Sequence, residues 1–285
     1  MTGQRLVMRP RRRVAATARG TRGCVPAAAT ARWAVLAAAG LAVAALGGCA
    51  SSTTERPSND SDAARINVQL GIDYLQRGEL ALAQTKLQRA LGEDAHNPDV
   101  HEALAMLDER LGKVGEADKE YRRALDLSQR APAILNGYAV YLCSHGRATE
   151  GVRMFEEAAG NALYRTPWVA YTNAGVCLRT VHRDPEAMQR FMRALQIDPA
   201  YSEAVFQAAQ TGFSLRQYQQ ARERIDTYLA TNAATPDLLL LGWRVAGAQK
   251  DVRGQQFYAS RLSQEFPTSQ QAHTLQLAAA EGNSD

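Results

Sequence analysis

The side chains that could do chemistry are few and poorly placed for it. Five histidines, His96, His101, His145, His182 and His273, are scattered along the 285 residues. None forms an HExxH pair or another spacing that sets two imidazoles on one metal. There is no GxSxG nucleophile turn, no GxxxxGK[ST] phosphate loop and no GxGxxG after a strand. His145 and His182 read as solvated residues of turns or helix ends. Asp and Glu are spread along helix exteriors, as on a solvated face, and are not gathered into an acid and base pair. Of the four cysteines, Cys24 and Cys49 lie near the N-terminus and Cys143 and Cys177 lie in the body. No CxxC is present, which argues against redox catalysis. The expectation is a protein that is not an enzyme, with no cofactor and no metal.

Charge and hydropathy along the chain separate a leader from a body. Residues 1–48 hold eight arginines and no acid, so removing those eight from the 33 basic residues leaves 25 against 29 acidic ones. The overall charge of +4 thus becomes −4 for the rest, and attraction to nucleic-acid phosphates loses its basis. After Arg32 an apolar run extends from Trp33 to Leu46, too short to cross a bilayer and closed by Gly47, Gly48 and Cys49. The segment Leu46-Gly47-Gly48-Cys49 resembles a bacterial lipobox, in which the cysteine is acylated and the chain is cut just before it. A plain secretory signal is the alternative. The resemblance implies lipidation at Cys49, handling by lipoprotein transport machinery, and anchoring to the periplasmic face of the outer membrane, since Ala50 and Ser51 lack the retaining Asp. Residues 49–63, rich in Ser, Thr, Asp and Pro, read as a flexible tether.

The body repeats. Leu70-Gly71-x-x-Tyr74, Gly78, Ala83, Leu87 and Ala90 recur as Leu104-Ala105, Gly112, Ala117, Tyr121 and Ala124, then as Tyr138-Ala139, Gly146, Gly151, Phe155 and Ala158. Further copies give Gly175, Ala187, Phe191 and Ala194, then Ala209, Ala221, Ile225 and Tyr228, and more loosely Gly242-Trp243, Gln255, Ala259 and Leu262. The boundaries predict six units at 64–97, 98–131, 132–167, 168–201, 202–235 and 236–269, with a two-residue insertion near Thr166 and Pro167. Small residues at the eighth and twentieth positions let two antiparallel helices approach, and a large apolar residue at the twenty-fourth fills the gap. One hairpin cannot bury its own faces, so neighbours must stack. Residues 270–281 read as a capping helix before a fraying tail to 285.

This pattern resembles the tetratricopeptide repeat. The resemblance implies an all-α fold, a right-handed superhelix (α-solenoid) of six helix hairpins whose inner surface is lined by the first helix of each. Residues at the second, fifth, ninth and twelfth positions of that helix tend to face inward. Val68, Ile72, Leu75, Met106, Val140 and Val176 would then form an apolar strip that accepts a partner segment, unless they pack against adjacent repeats instead. A clamp for a peptide carboxylate finds no support in the first two copies, which supply Val68 and Ile72, then Glu102 and Met106. Cys143 and Cys177 sit one period apart on neighbouring first helices. In an oxidising compartment a disulfide between them is expected, with two reduced thiols as the alternative.

With a lipobox, a tether, six repeats and this cysteine pair, the chain resembles the type IV pilus biogenesis and stability proteins of Gram-negative bacteria. The likeness rests on Asn67-x-x-Leu70-Gly71-x-x-Tyr74, Leu135-Asn136-x-Tyr138-x-x-Tyr141-Leu142-Cys143 and Asn173-Ala174-Gly175-x-Cys177. It implies a pilotin, an outer-membrane lipoprotein that binds subunits of the type IV pilus secretin and promotes their localisation and multimerisation. The alternative function is a periplasmic scaffold for cell-wall enzymes or for outer-membrane protein assembly.

Overall fold

The computed structural model describes residues 59–281. The expected leader (1–48), Cys49 and most of the tether lie outside the described residues. Within them the chain forms thirteen α-helices and no strand. Six hairpins follow one another: α1 Asn59–Arg77 with α2 Leu80–Glu93, α3 Pro98–Arg110 with α4 Val114–Leu127, and α5 Pro132–Ser144 with α6 Ala148–Gly160. The second half continues with α7 Pro167–Thr180 and α8 Asp184–Ile197, α9 Ser202–Ser214 and α10 Tyr218–Leu229, then α11 Pro236–Ala248 and α12 Val252–Glu265. The last helix, α13 Gln270–Glu281, packs on α11 and α12. The result is an α-solenoid.

Local chemistry sets the helix ends. Proline stands in the first turn of α3, α5, α7 and α11, where its missing N–H costs no hydrogen bond. The Asn97 carboxamide oxygen accepts from the Asp99 amide at 2.9 Å, and the Thr235 hydroxyl accepts from the Leu238 amide at 3.3 Å. Inside each hairpin the turn needs one left-handed residue. Gly78, Gly112 and Gly146 supply it in the first three copies at φ 76°, 72° and 76°, and His182, Arg216 and Lys250 supply it in the last three, each at φ 58°.

Packing within the hairpins follows the small-against-large rule. A Cβ on Gly71 would collide with Leu87, and one on Gly175 with the Phe191 ring. The sixth hairpin departs from the expected register. Trp243 is too large for the eighth position and Ala259 too small for the twenty-fourth, so the buried pair moves one residue, to Gly242 against the fully buried Tyr258. The turn at Lys250 keeps its period.

One boundary also differs from expectation. Helix α1 begins at Asn59, five residues before the predicted start of the first repeat at 64. Acids in a first turn suit the positive end of a helix, and Asp62 accepts from Arg65 at 3.3 Å one turn on. The two-residue insertion is accommodated in the connection 161–166 between α6 and α7, where the Asn161 side chain accepts from the Leu163 amide at 2.9 Å.

Candidate functional site

The structure places the six expected partner-facing residues mostly inside the molecule. Val68 and Leu75 are 6% and 2% exposed and pack with Leu87, Val100 and Leu107. Val140 is buried among Leu142, Cys143 and Phe155, and Val176 among Leu178, Phe191 and Ala208. Ile72 and Met106 alone of the six keep part of their side chains at the surface, and Met106 touches both the first and the third hairpin's clusters. The expected apolar strip is therefore largely inter-helix packing. The reason is geometric: at the other four positions the side chain is enclosed by the second helix of its own hairpin and by the adjacent repeat.

What runs between successive first helices is instead a polar ladder. Ser144 donates to Glu109 at 3.3 Å, and Asn173 donates to Asn136 at 3.3 Å. Arg179 donates to the Gln207 and Gln210 side-chain oxygens at 2.8 and 3.2 Å, and Gln207 donates to Glu203 at 2.9 Å. Desolvation raises the Glu203 carboxyl above its ordinary range, opposed by the Gln207 hydrogen bond and reinforced by Asp237. Desolvation likewise pulls the Arg179 guanidinium down, with Asp184 opposing it from 4.0 Å. These groups join repeats, with amides doing most of the pairing.

A second polar network fixes the joint between the second and third hairpins. Tyr138 donates to Asp118 at 2.7 Å, Arg147 donates to the same oxygen at 2.6 Å, and Arg122 reaches the other oxygen at 2.8 Å. Burial alone would raise the Asp118 carboxyl, but the hydrogen bonds from Tyr138, Arg147 and Arg122 hold it below its ordinary value. The Tyr141 hydroxyl donates to the Val114 carbonyl at 2.6 Å, and its ring lies 5.1 Å from that of Tyr121.

Cys143 and Cys177 are bonded to each other, with Cα atoms 5.6 Å apart, and tie α5 to α7 across the joint that contains the insertion. The histidines gather no metal: among the described residues no group of three His, Cys, Asp or Glu could hold one. His101 is buried, its ring bridging Glu120 Oε2 at 2.6 Å and the Ala95 carbonyl at 3.0 Å. No described helix is long and apolar enough to cross a membrane.

Exposed apolar side chains occur along the stack, Leu163, Val252 and Phe257 among them, and at its N-terminal end they form a stripe. Ile66 is 55% exposed and Leu70 36%, and with the half-buried Tyr74 they line one face of α1 at four-residue spacing. The equivalent third and seventh positions of the next repeats are Val100 and Leu104, Ile134 and Tyr138, Ala170 and Ala174, and Ala204 and Ala208. All are buried against the preceding hairpin except Leu104, which is half-buried. In the first hairpin the described residues leave the same stripe largely open. Inward-facing positions alone did not single it out; comparing burial down each column of the repeat does.

No protein-family model matches the chain. It is 29% identical to the type IV pilus assembly protein PilF of Pseudomonas aeruginosa over 228 residues, spanning 79% of this chain and 90% of PilF. The solved structure of Pseudomonas aeruginosa PilF shares 27% identity at a TM-score of 0.60, covering 77% of this chain and 99% of that one. The structure of PilW, a widely conserved type IV pilus biogenesis factor, shares 26% identity at a TM-score of 0.61, covering 74% and 97%. Yeast Tom70, at 17% identity and a TM-score of 0.56 over 72% of this chain and 44% of its own, shares the fold alone. The chain is homologous to PilF and to PilW-like tetratricopeptide proteins of type IV pilus biogenesis.

Proposed function

We propose that this chain is an adaptor of type IV pilus biogenesis: a lipoprotein moored in the outer membrane through Cys49 that binds secretin subunits and promotes their localisation and multimerisation there. Its likeness to PilF and PilW along most of the chain supports the pilus assignment. The observation that carries the binding step is the uncovered stripe of Ile66, Leu70 and Tyr74. An amphipathic secretin helix laid on that stripe takes the place a preceding hairpin would occupy. Covering each large side chain contributes about 1–2 kcal/mol of apolar burial.

No bond is made or broken in this mechanism. Lipoprotein transport machinery carries the acylated protein outward, and whatever is bound travels with it. Linked acyl chains add about 0.8 kcal/mol per buried methylene, so a multiply acylated cysteine holds the complex at the membrane without a spanning helix. Deleting the gene is expected to leave secretin as monomers in the wrong membrane and to abolish twitching. Normal heat-resistant secretin multimers in the deletion strain would refute the reading.

A further inference from the structure

An open cleft of about 680 Å³ lies between the end of α8, the turn that follows it, and α10. Its walls are Leu195, Pro199, Val205 and Tyr228, with Thr227 and Thr231 on the rim. Arg224 lines it and makes no hydrogen bond or ion pair among the described residues, and its Nη1 is buried with no acceptor.

The preceding repeat shows what is missing. Arg190 stands at the equivalent position of α8 and reaches back to Glu156 of α6 at 2.5 Å. One repeat later the position equivalent to Glu156 is Met192, which carries no charge and is 36% exposed. Arg224 has therefore kept the cation and lost the acid. Desolvation pulls its guanidinium below the ordinary arginine value, opposed by the neighbouring Glu223, so a carboxylate brought to it regains an interaction the folded chain leaves unmade.

We propose that this cleft is a second docking site, taking a polypeptide segment in which an Asp or Glu side chain pairs with Arg224 while an adjacent apolar side chain packs on Leu195 and Val205. A phosphate or lipid headgroup fits less well. One guanidinium matches one carboxylate as a fork, whereas phosphate sites gather several cations, and Glu223 on the same cleft repels a dianion more strongly. The site is independent of the stripe on α1 and is expected to operate whether or not that stripe binds secretin.

The test is titration of the whole folded protein, followed by NMR or calorimetry, with the peptide acetyl-Ala-Leu-Asp-Leu-amide and its Asp-to-Asn twin. The acidic peptide is expected to bind at least tenfold more tightly than the twin, and Arg224→Gln to erase the difference. Met192→Glu, which restores the acid found one repeat earlier while leaving Arg224 in place, is expected to weaken the acidic peptide by a similar factor. Equal binding of the two peptides, undiminished binding by either variant, no binding at millimolar peptide, or displacement by equimolar inorganic phosphate would each overturn the proposal.

Discussion

A glycine under an aromatic ring sets the closest approach in the fourth hairpin. Adding a methyl at Gly175 drives it into Phe191, which is itself fully buried and cannot swing away. Gly175→Ala is expected to destabilise by about 1–3 kcal/mol, read from thermal or urea unfolding. An unchanged midpoint would mean the ring relocates freely. This pair is visible in the sequence as Gly175 and Phe191 at the eighth and twenty-fourth positions. The sixth copy is not read so directly, because Trp243 and Ala259 occupy those columns and only three-dimensional packing shows that Gly242 and Tyr258 replace them. Glu203 offers a titration. Its folded carboxyl sits above the unfolded value, so it favours folding at low pH and this contribution is lost as pH rises through the folded value. Glu203→Gln is expected to raise the unfolding midpoint at pH 7 and to have no such advantage below about pH 4. Equal effects at both pH values would show that the carboxyl is not destabilised by burial.

The hairpin turns show how one backbone demand is met by different residues. Gly78, Gly112 and Gly146 announce the left-handed position by type, whereas His182, Arg216 and Lys250 hold the same conformation without announcing it. An L-residue there costs about 1–2 kcal/mol relative to one free to adopt it. Arg216→Gly is therefore expected to stabilise by about 1 kcal/mol, measured by thermal unfolding, and a lowered midpoint would mean the arginine side chain contributes more than its strain. Between elements, the Cys143–Cys177 bond closes a loop of 34 residues across the joint widened by the 161–166 connection. In the chain-entropy account this stabilises by about 3–4 kcal/mol. Reductant is expected to lower the unfolding midpoint of the natural chain and to leave that of a Cys143→Ala, Cys177→Ala double variant unmoved. Equal response of the two proteins would contradict a stabilising role.

At the scale of the molecule the two ends are unlike. The C-terminal hairpin is closed by α13, whose Ala272 and Leu275 are 1% and 7% exposed against α11 and α12, while the N-terminal hairpin leaves Ile66 and Leu70 open. The period of 34, the hairpin order and the capping helix were legible in the sequence because small and large residues recur at fixed spacing. The proposed docking surface was not. Val68, Leu75, Val140 and Val176 are apolar because neighbouring helices bury them, and a single sequence records apolar character without recording which side of a helix a neighbour covers. Ile66 and Leu70 belong to a column that is buried in the following repeats, so their meaning comes only from their place at the end of the stack. The most direct test is capture of secretin by the natural protein and by an Ile66→Glu, Leu70→Glu double variant shown by circular dichroism to remain helical. Capture is expected to fall at least tenfold in the variant; undiminished capture by a folded variant would contradict the docking role of this end.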